Sequence, residues 1–298
     1  MNTKQLKAKV LDLAIHGKLL SPETVAELKK SPDYETADVL LEKIRKEKEE
    51  KIAKGELKRD KKDSYIFVGD DKRHYEKFAD GTVKNIEDEI PFDVPEGWAW
   101  ARLNNVGLIT DTGYPFNASE FSKDQTKGMA IIRIRDILRG YSETYSNEKC
   151  PESYIVNKGE ILIGMDGDFN IAKWKSEPAL LNQRVCRIKK CHSSINLDYF
   201  FYLLEIPLKE INKNTSSVTV KHLSNKQIEN LLFPIPPIKI QNEIVTKIQQ
   251  SLSLVEIIEN GRNDIETTIK KTKSKILDLA IHGKLVPQDS NDEPASIL

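Results

Sequence analysis

Apolar residues near the C-terminus recur at helical spacing and predict one long helix. Their steps of three, four or seven residues follow a heptad seam, whose members are Ile244, Ile248, Leu252, Val255, Ile258, Ile265, Ile269 and Ile276. A single helix over residues 241–281 would be about 60 Å long. Because its apolar residues lie on one side, it needs a helical partner, either the N-terminal segment or a second subunit.

Between residues 98 and 237 the pattern changes to short β-branched runs separated by turns. These runs predict strands at 106–110, 130–134, 160–164 and 184–188, and a further apolar segment predicts a helix at 197–205. We therefore expect a mixed α/β domain over residues 96–236, a common domain size. The predicted fold class is α+β, with one mixed α/β domain joined to long coiled-coil-type helices.

The first 95 residues combine a helical pattern with a charged linker. Residues 42–62 carry ten Lys or Arg and six Asp or Glu, with few apolar positions after Ile44. This composition predicts a solvated helix with ion pairs between successive turns, which frays into a basic linker. A phosphate-contacting arm is the alternative interpretation. Pro91 and Pro95 surround an aromatic residue and mark a domain boundary, because proline favours extended backbone in the residue before it.

A sequence repeat brackets the chain. Residues 7–19 and 273–285 are identical at 11 of 13 positions, at a constant offset of 266. Glycine ends each copy at the position of a helix C-cap, so each copy is predicted to end a helix. His16 and His282 are then expected to cap or pack at those helix ends. The second copy stops partway through the longer resemblance, which predicts either a shortened gene product or a piece of a longer chain.

Composition narrows the possible partners. The chain of 298 residues has 46 Lys or Arg and 46 Asp or Glu, so its net charge is zero. This balance argues against a uniformly basic surface, and any charge-driven partner must be met locally. The sequence shows no apolar run long enough for a bilayer and opens with no signal-peptide pattern, and its three cysteines fit reduced thiols. We expect a cytoplasmic protein.

Common catalytic and metal-binding motifs are missing from the sequence. We find no phosphate-binding loop, dinucleotide fingerprint, zinc-protease motif or nucleophile elbow. Asp166, Asp168 and Glu177 match the acidic positions of a calcium loop, but Ile171 replaces the glycine that its turn requires. A Cys-x4-Cys-His set at residues 186–192 is too sparse for a structural zinc site. The sequence therefore predicts no catalytic residues, no metal and no cofactor.

One segment carries a local excess of positive charge. Residues 173–190 contain six Lys or Arg and one acidic residue, Glu177, which leaves a net charge of +5, with Asn182 and Gln183 interleaved. Arginine, asparagine and glutamine suit the edges of guanine and adenine in the major groove, and lysine suits phosphate. This segment favours duplex DNA binding, although a solvated strand edge also carries lysine.

Three ordered motifs resemble the specificity (S) subunits of Type I restriction-modification systems. The first is Ile-Arg-Ile-Arg-Asp-Ile at residues 132–137. The second is a Gly-Glu-Ile-Leu sequence within residues 156–163, followed by Gly167 and by Asn-Gln within residues 181–185. The third is the Pro-x-Pro-Pro-x-x-x-Gln-x-x-Ile step at residues 234–244 into the long helix. The two repeat copies resemble the family's conserved regions, so the likeness covers nearly the whole chain.

The resemblance implies a non-catalytic subunit whose target-recognition domain reads half of a bipartite DNA site. It implies double-stranded DNA and methyltransferase subunits as partners, and the restriction subunit through them. Because one domain reads one half-site, a full site would need either a self-dimer through the long helices or a missing second half. It divides the chain into an N-terminal conserved region with linker (1–95), a recognition domain (96–236), and a conserved helix with a truncated second repeat (237–298). Two departures are Ser216-Ser217, in place of a small-Gly turn, and Ile240 and Asn242 beside the glutamine.

The predicted DNA face combines loop positions with side chains that suit bases or phosphates. Its residues are Thr112, Tyr114, Asn117, Arg133, Arg135, Asp166, Asp168, Asn170, Lys173, Asn182, Arg184 and Lys221. The residues at the helix entry are expected to be structural: Pro234, Pro236, Pro237 and Gln241. A coiled-coil adaptor whose α/β domain binds protein is the alternative function, and a nuclease is a third, less favoured one.

Overall fold

The computed structural model describes residues 2–56, 63–215, 221–287, 289, 291, 293, 296 and 297. It contains two compact units: Val10–Ile248 forms one, and Met1–Lys9 with Gln249–Leu298 forms the other. The basic linker at 57–62 and residues 216–220, with the Ser216-Ser217 departure, lie outside the described residues.

The helices follow the capping signals of the sequence. They are α1 (Thr3–Ile15), α2 (Pro22–Lys29), α3 (Ala37–Ala53), α4 (Ile134–Ile137), α5 (Leu197–Leu203), α6 (Glu205–Asn214), α7 (Asn225–Glu229) and α8 (Ile238–Ile281). Ser21 caps α2 by accepting the Thr24 backbone N–H at 3.2 Å. Ser224 and Gln227 form a capping box at the start of α7. Local chemistry therefore sets where these helices begin.

The strands form four sheets. They are β1 (Ser64–Val68), β2 (His74–Phe78), β3 (Val83–Asn85), β4 (Ala99–Arg102), β5 (Leu108–Thr112), β6 (Met129–Ile132), β7 (Tyr145–Ser146), β8 (Ile155–Val156), β9 (Ile161–Gly164), β10 (Ile171–Lys173), β11 (Ala179–Leu181), β12 (Val185–Lys190) and β13 (Leu232–Ile235). The described orders are β1-β2-β3, β10-β9-β12-β5, β7-β6-β11-β8 and β13-β4. The β6 and β11 pair is parallel, and the other registered pairs are antiparallel.

Both four-stranded sheets contribute to one buried apolar cluster. Its fully or nearly fully buried members are Ile132, Ile137, Val156, Leu162, Trp174, Ala179, Leu181 and Val185. The Trp174 indole N–H donates to the Glu177 carbonyl at 2.8 Å, which satisfies the polar atom of the largest side chain. These sheets and α4, which lies between β6 and β7 in the chain, lie together in the larger unit.

Arg187 joins the two four-stranded sheets from inside. This residue lies on β12 and is 2% exposed. Its guanidinium donates to Asp111 at 2.5 Å and to the carbonyls of Ser153 and Ile155 at 2.6 Å each, and Glu160 lies 3.5 Å away. A buried guanidinium requires such partners, because losing water around a charge is costly.

Gln241 ties the first turn of α8 to its neighbours in the larger unit. The side chain is fully buried, donates to the Pro236 carbonyl at 2.9 Å and accepts the Asn196 backbone N–H at 3.0 Å. Pro236 and Pro237 immediately precede the helix, are themselves buried, and have no backbone N–H to satisfy. The expected structural role of this glutamine is confirmed.

The strand predictions are confirmed with small shifts, apart from one end. The segment 130–134 was expected to remain extended, but the strand ends at Ile132 and Ile134 begins a helical turn. The cause is local: the Asp136 carboxylate accepts the Arg133 backbone N–H at 3.1 Å, and the Asp136 N–H donates to the Arg133 carbonyl at 2.8 Å, which fixes the start of α4. The polar pair therefore overrides the β-branched sequence.

The C-terminal helix is confirmed as a single helix of 44 residues. Among the described helices, α1, α2 and α3 are much shorter, with 13, 8 and 17 residues. The expected set of long coiled-coil-type helices is therefore not confirmed. Both repeat copies end a helix, and Gly17 and Gly283 follow with φ of +67° and +61°. In the smaller unit, Lys7 Nζ lies 3.6 Å from Glu259 Oε2.

The charged helix α3 is solvated along its second half, as the composition predicts. Its buried residues, Ala37, Leu40 and Ile44, all lie in its first half, and Lys51 pairs with Glu47 at 2.7 Å across one turn. Within the described ranges, no helix is both long and apolar enough to cross a bilayer.

Replacing Arg187 by methionine should lower the free energy of unfolding by about 3 kcal/mol or more, because Asp111 and two carbonyls lose a buried partner. Urea unfolding followed by circular dichroism measures this change in the free energy of unfolding. The matched control is Lys190→Met, at an exposed position of the same strand, with an expected change within about 0.5 kcal/mol. Equal effects of the two variants would show that the buried pairing is not the cause.

Candidate nucleic-acid interface

An open cavity of about 480 Å³ lies at one edge of the two four-stranded sheets. Its described lining residues are Arg133, Ile134, Arg135, Leu138, Asn170, Asn182, Arg184 and Val185. Five of the twelve residues predicted for the DNA face are therefore brought together. None of the described lining residues is acidic, so the cavity offers cationic and amide donors beside an apolar wall.

Parallel strand pairing explains why residues 133 and 182 meet. The register pairs Ile132 on β6 with Leu181 on β11, and these are the last residues of their strands. Parallel strands end at the same sheet edge, so Arg133 and Asn182 leave the sheet side by side. This geometry brings together residues 49 positions apart in the chain, which the sequence pattern alone does not reveal.

A buried carboxylate holds Arg133 in place. Asp136 is 1% exposed, and its Oδ2 accepts the Arg133 backbone N–H at 3.1 Å and the Ser142 hydroxyl at 3.1 Å. Arg133 Nε lies 3.4 Å from the same oxygen, and its Nη2 donates to the Thr144 hydroxyl. The guanidinium therefore has fixed partners, Asp136 and Thr144, outside the cavity lining, which limits its freedom to turn towards a ligand.

A second carboxylate holds Arg184. Asp166 Oδ2 lies 3.7 Å from Arg184 Nε, and Asp166 Oδ1 lies 2.8 Å from His222 Nδ1. Asp166 and His222 also form an isolated β-bridge, which links the turn after β9 to the segment before α7. Arg184 itself stays exposed. This network places a cation at the rim and leaves it accessible.

Three polar side chains of the cavity are available for a ligand. Among the described residues, no hydrogen bond or ion pair is found for the side chains of Arg135 and Asn170, and Asn182 uses only its Oδ1, which accepts the Gln183 N–H at 2.9 Å. Asn170 is placed by its backbone, whose carbonyl accepts the Gly164 N–H at 2.9 Å. Free guanidinium and amide groups in one cavity suit base edges.

Two predicted DNA contacts are engaged within the protein. Lys173 pairs with Asp198 and lies 5.1 Å from the centre of the Phe201 ring. Lys221 Nζ donates to the backbone carbonyl of Asn212 and lies 3.1 Å from its Oδ1. Neither lysine lines the cavity, and both are half-buried.

Four further predicted contacts lie outside the cavity lining. Thr112 pairs with Cys186 across the sheet, and Tyr114 forms a bridge with Asn182 while its ring lies 4.9 Å from the Phe116 ring. Asn117 accepts the Ser119 N–H at 3.2 Å, and Asp168 is exposed in the turn that ends at Asn170.

The interpretation of residues 173–190 as one exposed basic patch is wrong. Arg187 is buried, Lys173 is paired, and Lys189 Nζ lies 3.3 Å from Asp111. The cause for Arg187 is burial of both faces of β12, because Val185 to Ile188 are all buried although successive side chains of a strand point to opposite faces.

The predicted DNA face does not include four residues of the cavity region: Ile134, Leu138, Val185 and His222. The link between His222 and Asp166 depends on a bridge between residues 56 positions apart. Leu138 is an aliphatic residue, 59% exposed, directly after α4. The DNA face was predicted from side chains that can hydrogen-bond to bases or phosphates, and a leucine does not meet that criterion.

The cysteines have no common site. Cys186 is buried on β12, and this burial, with the nearby Asp111 carboxylate, raises the pKa of its thiol. Cys191 is exposed and Cys150 is half-buried. Within the described ranges, no group of three His, Cys, Asp or Glu side chains is arranged to hold a metal ion.

Comparison with known proteins identifies the class. The family described as Type I restriction modification DNA specificity domain matches residues 95–267, more than half of the chain. The chain therefore belongs to this family of DNA specificity domains.

Curated relatives support the same family. The chain is 38% identical over 198 residues to the Type I restriction enzyme EcoBI specificity subunit of Escherichia coli, which covers 66% of this chain and 41% of that protein. It is 24% identical to the EcoAI specificity subunit of the same species, with 99% of this chain and 54% of that protein covered. The chain thus spans about half the length of the curated relatives that it matches. These matches do not favour the adaptor interpretation.

Solved structures support the fold. A chain of a type I R-M system structure matches with a TM-score of 0.57 at 18% identity, covering 65% of this chain and 48% of that chain. The HsdS subunit from Thermoanaerobacter tengcongensis matches with a TM-score of 0.50 at 18% identity, covering 65% and 47%. At such identities the likeness concerns the mixed helix and strand fold alone.

Replacing Asp136 by alanine should destabilise the larger unit by about 2–4 kcal/mol, because the Arg133 N–H and the Ser142 hydroxyl lose a buried acceptor. Chemical denaturation measures the free energy. Asp168→Ala is the matched control, since this aspartate is exposed and has no hydrogen bond or ion pair among the described residues. A loss for Asp136→Ala no larger than the control's would contradict the capping role.

Proposed function

We propose that the chain is a non-catalytic DNA-targeting subunit, which directs a Type I restriction-modification complex to half of a bipartite DNA site. The cavity between β6, β11 and the turn before β10 is the observation that carries this proposal. Three arginines and two asparagines share it, and the described lining has no acidic side chain. Such a set matches the hydrogen-bonding edges of bases in the major groove.

The proposed DNA face centres on Arg135, Asn170 and Asn182. Their side chains keep donors or acceptors free, whereas Arg133 and Arg184 are held by Asp136 and Asp166. We assign the held arginines to shaping the cavity and adding positive charge, and the free groups to contact with bases. The predicted contacts at Thr112, Tyr114, Asn117, Asp166, Asp168, Lys173 and Lys221 stay predictions, and internal pairing weakens the case for the two lysines.

We assign recognition to residues 96–236, protein contacts to residues 1–95 and 237–298, and the site of action to the cytoplasm. Methyltransferase subunits are the proposed partners, with the restriction subunit reached through them. Zero net charge fits this division, because attraction to DNA is restricted to one cavity and its rim. We expect weak DNA binding by the chain alone and tighter binding in the assembled complex.

A second copy of the chain is the proposed partner of α8. From Ile258 onward, apolar residues that share one side of the helix are exposed, among them Ile258 (55%), Ile265 (63%), Ile269 (48%) and Ile276 (46%). A stripe of this size on a soluble helix is unusual unless another surface covers it. Two copies of one heptad seam are complementary by symmetry, so a dimer would also join two half-site readers.

The repeat supports assembly by a separate route. In the larger unit the first copy packs on Phe92 and Pro95: the His16 ring lies 4.1 Å from the Phe92 ring, and a Cβ on Gly17 would lie 2.5 Å from Pro95. The copy near the C-terminus has the same local hydrogen bonds, since Lys284 N donates to Leu279 O at 2.7 Å as Lys18 N does to Leu13 O.

Exposure separates the two copies. Leu11 and Ile15 are 8% and 7% exposed, whereas their counterparts Leu277 and Ile281 are 62% and 82% exposed. The second copy therefore has the conformation that fits a surface like that of Phe92 and Pro95. We infer that a partner supplies such a surface.

Replacing Arg135 by alanine should weaken duplex binding by about 1–3 kcal/mol and reduce its salt dependence, because a free guanidinium is removed from the cavity. Fluorescence anisotropy with a mixed-sequence duplex, measured across salt concentrations, tests this. Arg262→Ala is the control, since that arginine is exposed on α8 and pairs only with Glu266 among described residues. An unchanged affinity and salt slope for Arg135→Ala would overturn the proposed face.

Replacing Ile265 by glutamate should shift the chain from dimer to monomer at micromolar concentration, because a charge would enter the apolar seam. Sedimentation velocity measures the mass. Thr267→Glu places the same charge on the polar side of the helix and should leave the dimer intact. A monomeric parent chain, or equal effects of both variants, would contradict the proposed dimer.

A further inference from the structure

Leu138 is the exposed apolar residue of the cavity wall. It follows the last residue of α4, is 59% exposed and lines the cavity together with Ile134 and Val185. Single exposed leucines are common on protein surfaces and carry no meaning by themselves. This leucine differs because it lies in one cavity with the free side chains of Arg135 and Asn170.

The turn that carries Leu138 is held firmly. Gly140 has a φ of +77°, and a Cβ there would lie 2.8 Å from Lys175, so the turn packs closely against that side chain. The Ser176 hydroxyl donates to the Gly140 carbonyl at 2.9 Å, and the Gly140 N–H donates to the Asp136 carbonyl at 2.9 Å. Leu138 therefore belongs to a preformed wall, and its exposure is fixed by the turn.

The mixture of apolar and polar lining distinguishes between two kinds of DNA contact. A phosphate would use the arginines and gain nothing from Ile134, Leu138 and Val185, because its oxygens are strongly hydrated. A base pair with thymine presents a methyl group beside hydrogen-bonding atoms in the major groove. The described lining of this cavity has the same combination, an aliphatic wall beside guanidinium and amide groups.

We propose that Leu138 determines specificity by packing on the C5-methyl group of a thymine, while Arg135 and Asn170 contact neighbouring base edges. This inference rests on the proposed DNA-targeting function and adds the base preference of one position. Leu138 and Arg133 have different roles in this proposal. Leu138 contacts the base, whereas Arg133 is paired with Asp136 and shapes the cavity.

The test uses the full chain, with DNA sequences selected from a randomised duplex pool at low salt. We expect the parent chain to enrich thymine at one position or more, and Leu138→Ala to lose that preference at one position while the other positions keep theirs. In the selected duplex, replacing that thymine by uracil removes only the methyl group. It should weaken binding of the parent chain about fourfold, the value of one buried methyl group, and leave Leu138→Ala unaffected.

Leu254→Ala is the matched control, because Leu254 is 62% exposed on α8 and should leave every base preference unchanged. A uniform loss of binding without a change in preference would overturn the role of Leu138, as would an equal uracil effect in the variant and the parent chain. Failure of the parent chain to select any sequence, or to bind duplex at all, would instead overturn the proposed function. The two failures are therefore distinct.

Discussion

Burial of one arginine supports the architecture on which the candidate site depends. Arg187 lies inside the larger unit, where its guanidinium binds Asp111 of β5 and two carbonyls at or just before β8. The Nη1 and Nη2 atoms have acceptors, whereas Nε has none among the described residues. Because removing a charge from water is costly, the two four-stranded sheets must keep the spacing that provides these acceptors. The apolar cluster, whose members come from both sheets, then fills the space between them.

The cavity follows from this arrangement. Because the β6 and β11 pair is parallel, the two strands end at one edge, and the chain leaves them there as α4 and the turn before β12. Asp136 and Asp166 then fix two of the three cavity arginines. A rigid wall with a few free donors suits recognition, because little side-chain entropy is lost when a ligand binds.

The two repeat copies show how context decides the use of one sequence. Local hydrogen bonds and the positive φ of the terminal glycine are the same in both copies. Burial differs, because the first copy meets Phe92 and Pro95 in the larger unit, whereas the second is exposed. A helix end with one sequence therefore serves as core in one place and as an unoccupied surface in the other.

The sequence by itself determined the elements whose causes are local. Apolar periodicity located α8, β-branched runs located most strands of the central region, and glycine after Ile15 and Ile281 located two helix ends. It also predicted the family, which the comparison confirms.

Only the tertiary structure decided which charged side chains are buried, paired or exposed. The sequence put Arg184 and Arg187 in one basic segment, but Arg184 lies beside Asp166 at the rim of the cavity and Arg187 is buried. The Arg135 side chain lines the cavity. Leu138 becomes notable only beside Arg135 and Asn170, residues that the turns and sheets bring to it. The physical reason is that exposure and pairing depend on contacts between distant segments, which the spacing of residue types along the chain does not encode.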